Sequence, residues 1–253
     1  MVRCNTCDLV YADQPPPENI LAAAYHEANY DSAEEANDAA AAYYLTASDF
    51  LDRLAGTTSA LEIGAGTGVF LSALHRHGFS RLVGVEPSSS AIQAAPDMCK
   101  PWLVEGMFDS SQFPEESFDL ICCFMTLEHV LDPTTLALGA HRLLKPGGAF
   151  LVVVHDYKGI VNRILGKRSP IVDLEHMQLF SRNSIRELLS RTGYADIHTT
   201  SFYNTYSVRY WIRLLPLPAI IKQTLANVLK AFGVIDKKIS CNVGNLMSGG
   251  FKP

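Results

Sequence analysis

No uncharged apolar run in this chain reaches the roughly 18 residues that a bilayer crossing needs, so no membrane-spanning helix is expected. The opening residues lack an apolar core segment, which argues against a secretory leader. Long basic runs are missing and the formal charge is -5, which argues against a general electrostatic grip on nucleic acid. Cysteine is scarce: Cys4, Cys7, Cys99, Cys122, Cys123 and Cys241 are spaced unlike a disulfide scaffold, and reduced thiols in a cytoplasmic protein are the expectation. No internal repeat is evident, and the one biased tract is an alanine cluster at 36–42. What remains is the composition of a globular protein, 48% apolar and 19% charged, long enough to bury a full core.

Residues 1–17 are short and irregular and end in Pro15-Pro16-Pro17, a stiff linker. Residues 18–55 read as helix, because Tyr43, Tyr44, Leu45, Phe50, Leu51 and Leu54 recur at helical intervals among alanines. From residue 60 strands and helices alternate. Strands are expected near 59–63, 82–86, 102–105, 118–124 and 149–154, with helical segments near 68–77, 88–95 and 134–144. Gly78 and Gly147-Gly148 mark helix ends and turns. Such alternation implies a parallel sheet with helices on both faces. Ser181 is a candidate cap for a helix over 181–192, and a strand near 196–202 follows.

The stretch Leu61-Glu62-Ile63-Gly64-Ala65-Gly66-Thr67-Gly68 reads as a buried strand that enters a glycine-rich turn and then a helix. Eighteen residues after Gly68, Glu86 ends the next strand, followed by Pro87. A turn of this kind lets backbone approach a nucleoside too closely for Cβ atoms, at the carboxyl edge of a parallel sheet. A dinucleotide site wants Gly-x-Gly-x-x-Gly, with the pyrophosphate on the helix N-terminus. Here the third glycine comes one residue early, and position 69 is valine. Glu62, two residues before the first glycine, disfavours a pyrophosphate and suits a cationic amino group. S-adenosylmethionine has that group, carries a sulfonium and lacks phosphate. The charge pattern favours it. Gly64, Ala65, Gly66 and Gly68 would wrap its methionine part, with Glu62 on the amino group directly or through water. The Glu86 carboxylate, with Pro87 behind it, would accept hydrogen bonds from both ribose hydroxyls.

At these residues the sequence resembles the class I S-adenosylmethionine-dependent methyltransferases. The resemblance runs through Phe118-Asp119-Leu120-Ile121, Leu127-Glu128-His129-Val130 and Leu143-Leu144-Lys145-Pro146-Gly147-Gly148, in that family's order, over roughly residues 40–200. It implies an α/β fold: a Rossmann-like, doubly wound, seven-stranded sheet under an N-terminal helical cover. Its last strand, near 245–252, would run antiparallel, and residues 203–240 would interrupt the closing pair as an inserted helical cap. The implied division is 1–17 as a separate knuckle and linker, and 18–253 as the methyltransferase domain.

The resemblance also implies where the rest of the site lies. In the loop Glu105-Gly106-Met107-Phe108-Asp109, Gly106 permits close approach, and Met107 or Phe108 either sandwiches the adenine or packs in the core. Asp109 is the nearest candidate for the adenine amino group, although it comes late in the loop. Phe124-Met125-Thr126 end the fourth strand beside the sulfonium. His129, within one turn, either lines the cofactor pocket or takes a proton, as histidine can near neutral pH. His155 ends the fifth strand. His176, in Asp173-Leu174-Glu175-His176-Met177, precedes Phe180-Ser181, a pattern that borders the acceptor site in relatives. Both are candidates to contact substrate, or else ordinary loop histidines.

Cys4-x-x-Cys7, followed by Asp8-Leu9-Val10-Tyr11, resembles the second half of a zinc ribbon that precedes some sugar and small-molecule methyltransferases. A structural zinc wants four ligands and two are here, so no metal is expected. The insertion mixes Tyr206, Tyr210, Trp211, Ile212, Leu214, Leu215, Ile220 and Ile221 with Arg209, Arg213, Lys222 and Lys230. It is expected to cover the acceptor, with peripheral contact to an anionic membrane as the second reading. The expected function is S-adenosylmethionine-dependent methyl transfer to O, N or C of a small-molecule acceptor, such as a sugar, polyketide-like or cell-envelope metabolite. The alternatives are a non-catalytic cofactor- or partner-binding protein on the same fold and, after it, a nicotinamide-dependent oxidoreductase.

Overall fold

The computed structural model describes residues 1–17, 33–172 and 175–253; the expected helix before residue 33, Asp173 and Leu174 lie outside the described residues. A hairpin, β1 (Val2–Arg3) and β2 (Val10–Tyr11), opens the chain around the Cys4-x-x-Cys7 turn, where Asp8 takes a φ of 67°. Helix α1 (Ala33–Leu51) buries Ala40, Ala47, Phe50 and Leu51, a stripe at helical spacing that lies on the sheet.

The alternating part then unfolds as the residue pattern requires. It comprises β3 (Ser59–Ile63), α2 (Val69–His77), β4 (Arg81–Glu86), α3 (Ser89–Ala94), β5 (Leu103–Glu105), β6 (Phe118–Phe124), α4 (Pro133–Leu143) and β7 (Leu144–His155). After α5 (Ile160–Leu165) and β8 (Gln178–Leu179) come α6 (Arg182–Arg191) and β9 (Ala195–Ser201). The chain closes with β10 (Asn204–Ser207), α7 (Val208–Leu214), α8 (Ala219–Ala231), β11 (Lys238–Cys241) and β12 (Asn245–Phe251).

Seven strands make the main sheet in the order β5-β4-β3-β6-β7-β12-β9, and β12 is antiparallel to both its neighbours. The strand order reverses between β3 and β6, where a doubly wound sheet opens its ligand crevice. Every residue of β6 is buried because helices cover both faces. Leu151 and Val153 face the core built with Phe50, Leu71 and Leu74, while Val152 and Val154 face Leu136, Ala137 and Ile185.

Residues 203–240 carry helices as expected, and add a pair of strands that was not. Their two ends pair as an antiparallel ladder, Asn204↔Cys241 to Ser207↔Lys238, and only the middle is helical. The reason is periodicity: Asn204 and Tyr206 are buried while Thr205 and Ser207 are only partly covered, a strand alternation. β8 was not expected either. It pairs with β2, so the N-terminal hairpin and β8 form a small three-stranded sheet.

Asp119 locks the start of β6 to β3. Its carboxylate accepts Ser59 N–H and Ser59 Oγ at 2.8 Å each and Lys145 Nζ at 2.8 Å. Burial pushes this carboxyl up, but Lys145 and Ser59 outweigh it and hold it below the usual range. A depressed carboxyl stabilises above its unfolded-state pKa and loses that contribution as pH falls through the folded value. Asp119→Ala is expected to cost about 3 kcal/mol in urea unfolding at pH 7, the scale for breaking a buried pair. The deficit should shrink in acid; a deficit equal at pH 7 and pH 3 would count against this assignment.

Candidate active site

Gly64, Gly66 and Gly68 take left-handed φ values of 72°, 54° and 71° at the mouth of the crevice. Gly64 admits no side chain, since a Cβ there would fall 2.8 Å from Thr126 Cγ2 and closer still to Thr126 Oγ1. Gly64 and Ala65 each donate an N–H to Val85 O, at 2.9 and 3.1 Å, which ties the turn to β4. Glu86, at the end of β4, accepts Gly66 N–H at 2.7 Å and Ser88 N–H at 2.8 Å. Burial outweighs these bonds and raises its carboxyl. Each carboxylate oxygen has a second lone pair to offer a hydroxyl. Half-buried Pro87 separates Glu86 from Ser88, the cap of α3.

Glu62 is the anomaly of the turn. It is 4% exposed, and its Oε2 is buried with no hydrogen-bond partner among the described residues. Burial, and then the charge of Glu86, pushes its carboxyl well above the ordinary range. A carboxylate so placed is costly alone and suits a cationic ligand. Thr67 Oγ1, inside the same turn, is also buried without a partner among the described residues. Sequence reasoning gave Thr67 no role, because a lone threonine carries no pattern; only the turn's geometry singles it out.

Beyond the turn, Gly106 (φ 146°) donates to Glu86 O at 3.0 Å, which sets the next loop against β4. Met107 is 47% exposed, whereas Phe108 lies parallel to Phe113 at 6.5 Å between centroids and joins the core. Asp109 caps a 3-10 turn, accepting Ser111 N–H at 2.8 Å. At the end of β6 the Phe124 ring meets Phe70 at 4.7 Å and Tyr43 at 5.0 Å. Met125 follows with a φ of 50°, strained for a side chain of this size and held by its N–H bond to Val153 O at 2.8 Å.

The three histidines come together. The 3-10 turn Leu127–His129 puts Glu128 inward, 1% exposed, and His129 at the surface of the crevice. His155 donates both its backbone N–H and Nδ1–H to Glu128 Oε1, at 2.6 and 2.7 Å. A bridge between Asp156 and Phe180 draws the His176 segment alongside, so the His176 ring lies 4.7 Å from that of His129 and 5.5 Å from that of His155. Gln178 Nε2 bonds Val130 O at 3.3 Å, and Ala12 N–H bonds Met177 O at 2.9 Å. Burial alone would raise Glu128, but the charge and hydrogen bonds of His155, with His176, hold it below the usual carboxylate range. Glu128 is the residue sequence reasoning underrated; an acid inside the apolar Leu127-Glu128-His129-Val130 was the available signal. A separate depression of about 360 Å³, lined by Asp156, Lys158, Ser181, Arg182, Asn183 and Arg186, opens beside the cluster and away from the glycine turn.

Comparison with known proteins agrees with this geometry. A family model described as a methyltransferase domain matches residues 32–199. Ubiquinone biosynthesis O-methyltransferase of Coxiella burnetii is 29% identical over 113 residues, covering 42% of this chain and 48% of the relative. Its counterpart in Methylococcus capsulatus is 34% identical over 118 residues, with the same shares. The chain thus spans about half the length of the curated relatives it matches. Among solved structures, an S-adenosylmethionine-dependent methyltransferase from Archaeoglobus fulgidus superposes with a TM-score of 0.57 at 14% identity, covering 84% of this chain and 94% of that one. Phosphoethanolamine N-methyltransferase 2 of Haemonchus contortus, in complex with S-adenosyl-L-methionine, gives 0.55 at 16% identity, covering 92% and 60%. With the glycine turn, the two strand-end glutamates and the antiparallel last strand in place, the chain belongs to the methyltransferase-domain family, which uses S-adenosylmethionine as its methyl donor.

Proposed function

We propose that this protein transfers a methyl group from S-adenosylmethionine to a small-molecule acceptor held at the carboxyl edge of the sheet. The Oε2 of Glu62, buried and without a partner among the described residues, carries the reading, because a cationic amino group answers it and a pyrophosphate does not. The same atom, with Val69 starting α2 in place of a third glycine, argues against a nicotinamide cofactor. Glu62 and Thr67 would hold the amino-acid end, Glu86 the ribose, and Met107 the adenine face. When bound, S-adenosylmethionine supplies an electrophilic methyl group on its sulfonium.

The residues of this chain supply alignment and a proton acceptor. His155 gives its Nδ1–H to Glu128, so the neutral ring carries its lone pair on Nε2, ready to take an acceptor's proton. An oxygen acceptor fits best, since the curated relatives are named O-methyltransferases and an O–H needs such a base. The cap would close over the acceptor. Its exposed face (Ile220 at 81% and Phe232 at 77%), together with six basic residues and one acid over 203–240, suits an apolar acceptor met at an anionic membrane surface.

Calorimetry tests the cofactor and labelled methyl transfer tests the turnover. S-adenosylhomocysteine should bind and NAD should not, and a metabolite extract should take up label from the methyl donor. Heat from NAD with none from S-adenosylhomocysteine would overturn the reading; binding without label in any acceptor would make this a cofactor-binding protein.

A further inference from the structure

Glu128, His129 and His176 each offer one ligand atom, and these atoms lie within 4.8 Å of one another. They reach this spot from separate segments. Glu128 and His129 sit on the turn after β6, while His176 is carried by the segment that β2 and β8 clamp in place. Two imidazoles and one carboxylate form a donor set suited to zinc or another divalent transition metal that keeps a coordination position open.

Two further observations point to a ligand there. Glu128 is 1% exposed, yet its Oε2 is buried with no hydrogen-bond partner among the described residues, while Oε1 is already taken by His155. A carboxyl group in the interior with one oxygen unanswered suits a cation as its partner. The second observation is the tautomer of His129. Its Nδ1 lies 3.0 Å from Glu175 O, and a carbonyl can only accept, so Nδ1 carries the proton and Nε2 the lone pair. A carbonyl behind the ring is the usual support of a metal-ligating histidine, and His155 behind Glu128 supports the carboxylate in the same way.

The geometry points to a divalent-cation site made by Glu128, His129 and His176, with its open position turned to the acceptor. Metal–ligand distances of about 2.1 Å place tetrahedral ligands roughly 3.5 Å apart, so the three atoms need to close by about 1 Å. A hydroxyl oxygen entering the open position would be made more acidic, and its proton would pass to His155 Nε2. The proposal rests on the methyltransferase reading for the acceptor's role, but the cation site stands on its own and is tested without turnover.

The test uses the full chain with Cys4→Ser and Cys7→Ser, so that the N-terminal thiols cannot supply the metal. The protein is stripped with chelator and dialysed against zinc, then against cobalt. One metal per chain is expected, with cobalt d–d absorption and no thiolate charge-transfer band. His129→Ala and His176→Ala should each abolish stoichiometric zinc. His155→Ala, which leaves the three ligands in place and removes the support of Glu128, should weaken zinc by about 10–100-fold. Retained binding of S-adenosylhomocysteine and an unchanged melting temperature certify that the variants fold. Where His176→Ala does not fold, the cobalt spectrum of the parent chain decides alone. A parent chain that returns without metal, or that keeps one zinc after both histidines are removed, overturns the assignment. Loss of S-adenosylhomocysteine binding with zinc intact would instead refute the methyltransferase reading and leave the cation site standing.

Discussion

Glu62→Gln should make the ligand-free protein more stable and bind S-adenosylmethionine more weakly, two effects of opposite sign from one substitution. Glu62 is buried beside Glu86, with its carboxyl well above the ordinary range and its Oε2 without a partner among the described residues. A carboxyl raised on folding contributes full stability below its unfolded-state pKa, and that contribution is lost as pH rises through the folded value. Stability of the ligand-free wild type should therefore fall on going from mildly acid to alkaline pH, and Glu62→Gln should flatten that slope. The cofactor's amino group reverses the sign, because it is the cation the carboxylate lacks. Losing a hydrogen bond between charged groups costs about 1.5–3 kcal/mol, which is roughly a ten- to hundredfold loss of affinity. Thermal melts across pH and calorimetry with S-adenosylmethionine measure both. A glutamine variant that bound as tightly as the wild type would remove Glu62 from the cofactor site.

The sheet was legible because its signals are local. β3 and β4 are largely apolar runs ended by Gly64 and Glu86, β6 is a largely apolar run of seven, and all three came within a residue of the expected bounds. The glycine turn was legible for the same reason: Gly64, Gly66 and Gly68 are needed where φ is positive, and only glycine takes that conformation without strain. Long-range placement was not. Nothing in Val10-Tyr11 and Gln178-Leu179 announces that they pair across 167 residues, yet this pairing brings His176 to His129. The insertion's ends were hidden as well, since a four-residue ladder leaves too short an alternation to outweigh the helical residues between. Glu128 was visible as a letter but not as a buried charge, because burial is decided by His155 and His176, which arrive from elsewhere.

The second large effect is expected from the cap. Ser207 and Lys238 are the last pair of the β10–β11 ladder, so residues 208–237 can be removed and the hairpin closed with Asn-Gly, the two-residue turn that suits antiparallel strands. What leaves is α7 and α8. No residue of α8 is buried, the buried Ile212 and Ile235 that leave with it belong to neither core cluster of the sheet, and the ties to α1 include surface ion pairs such as Arg213–Glu35 at 3.1 Å. Pairs of that kind contribute little, so the core should keep its melting temperature. Cofactor affinity should change by no more than about threefold, because Glu62, Glu86 and the glycine turn lie on β3 and β4. Methyl transfer should fall by about a hundredfold or more, since the cap would position the acceptor and exclude water from it. Sedimentation with vesicles rich in anionic lipid should be lost along with it, while zwitterionic vesicles should carry down neither protein. Cofactor binding that collapsed in a still-folded excised chain would move the segment into the cofactor site. Methyl transfer that survived the excision would strip the cap of its role over the acceptor.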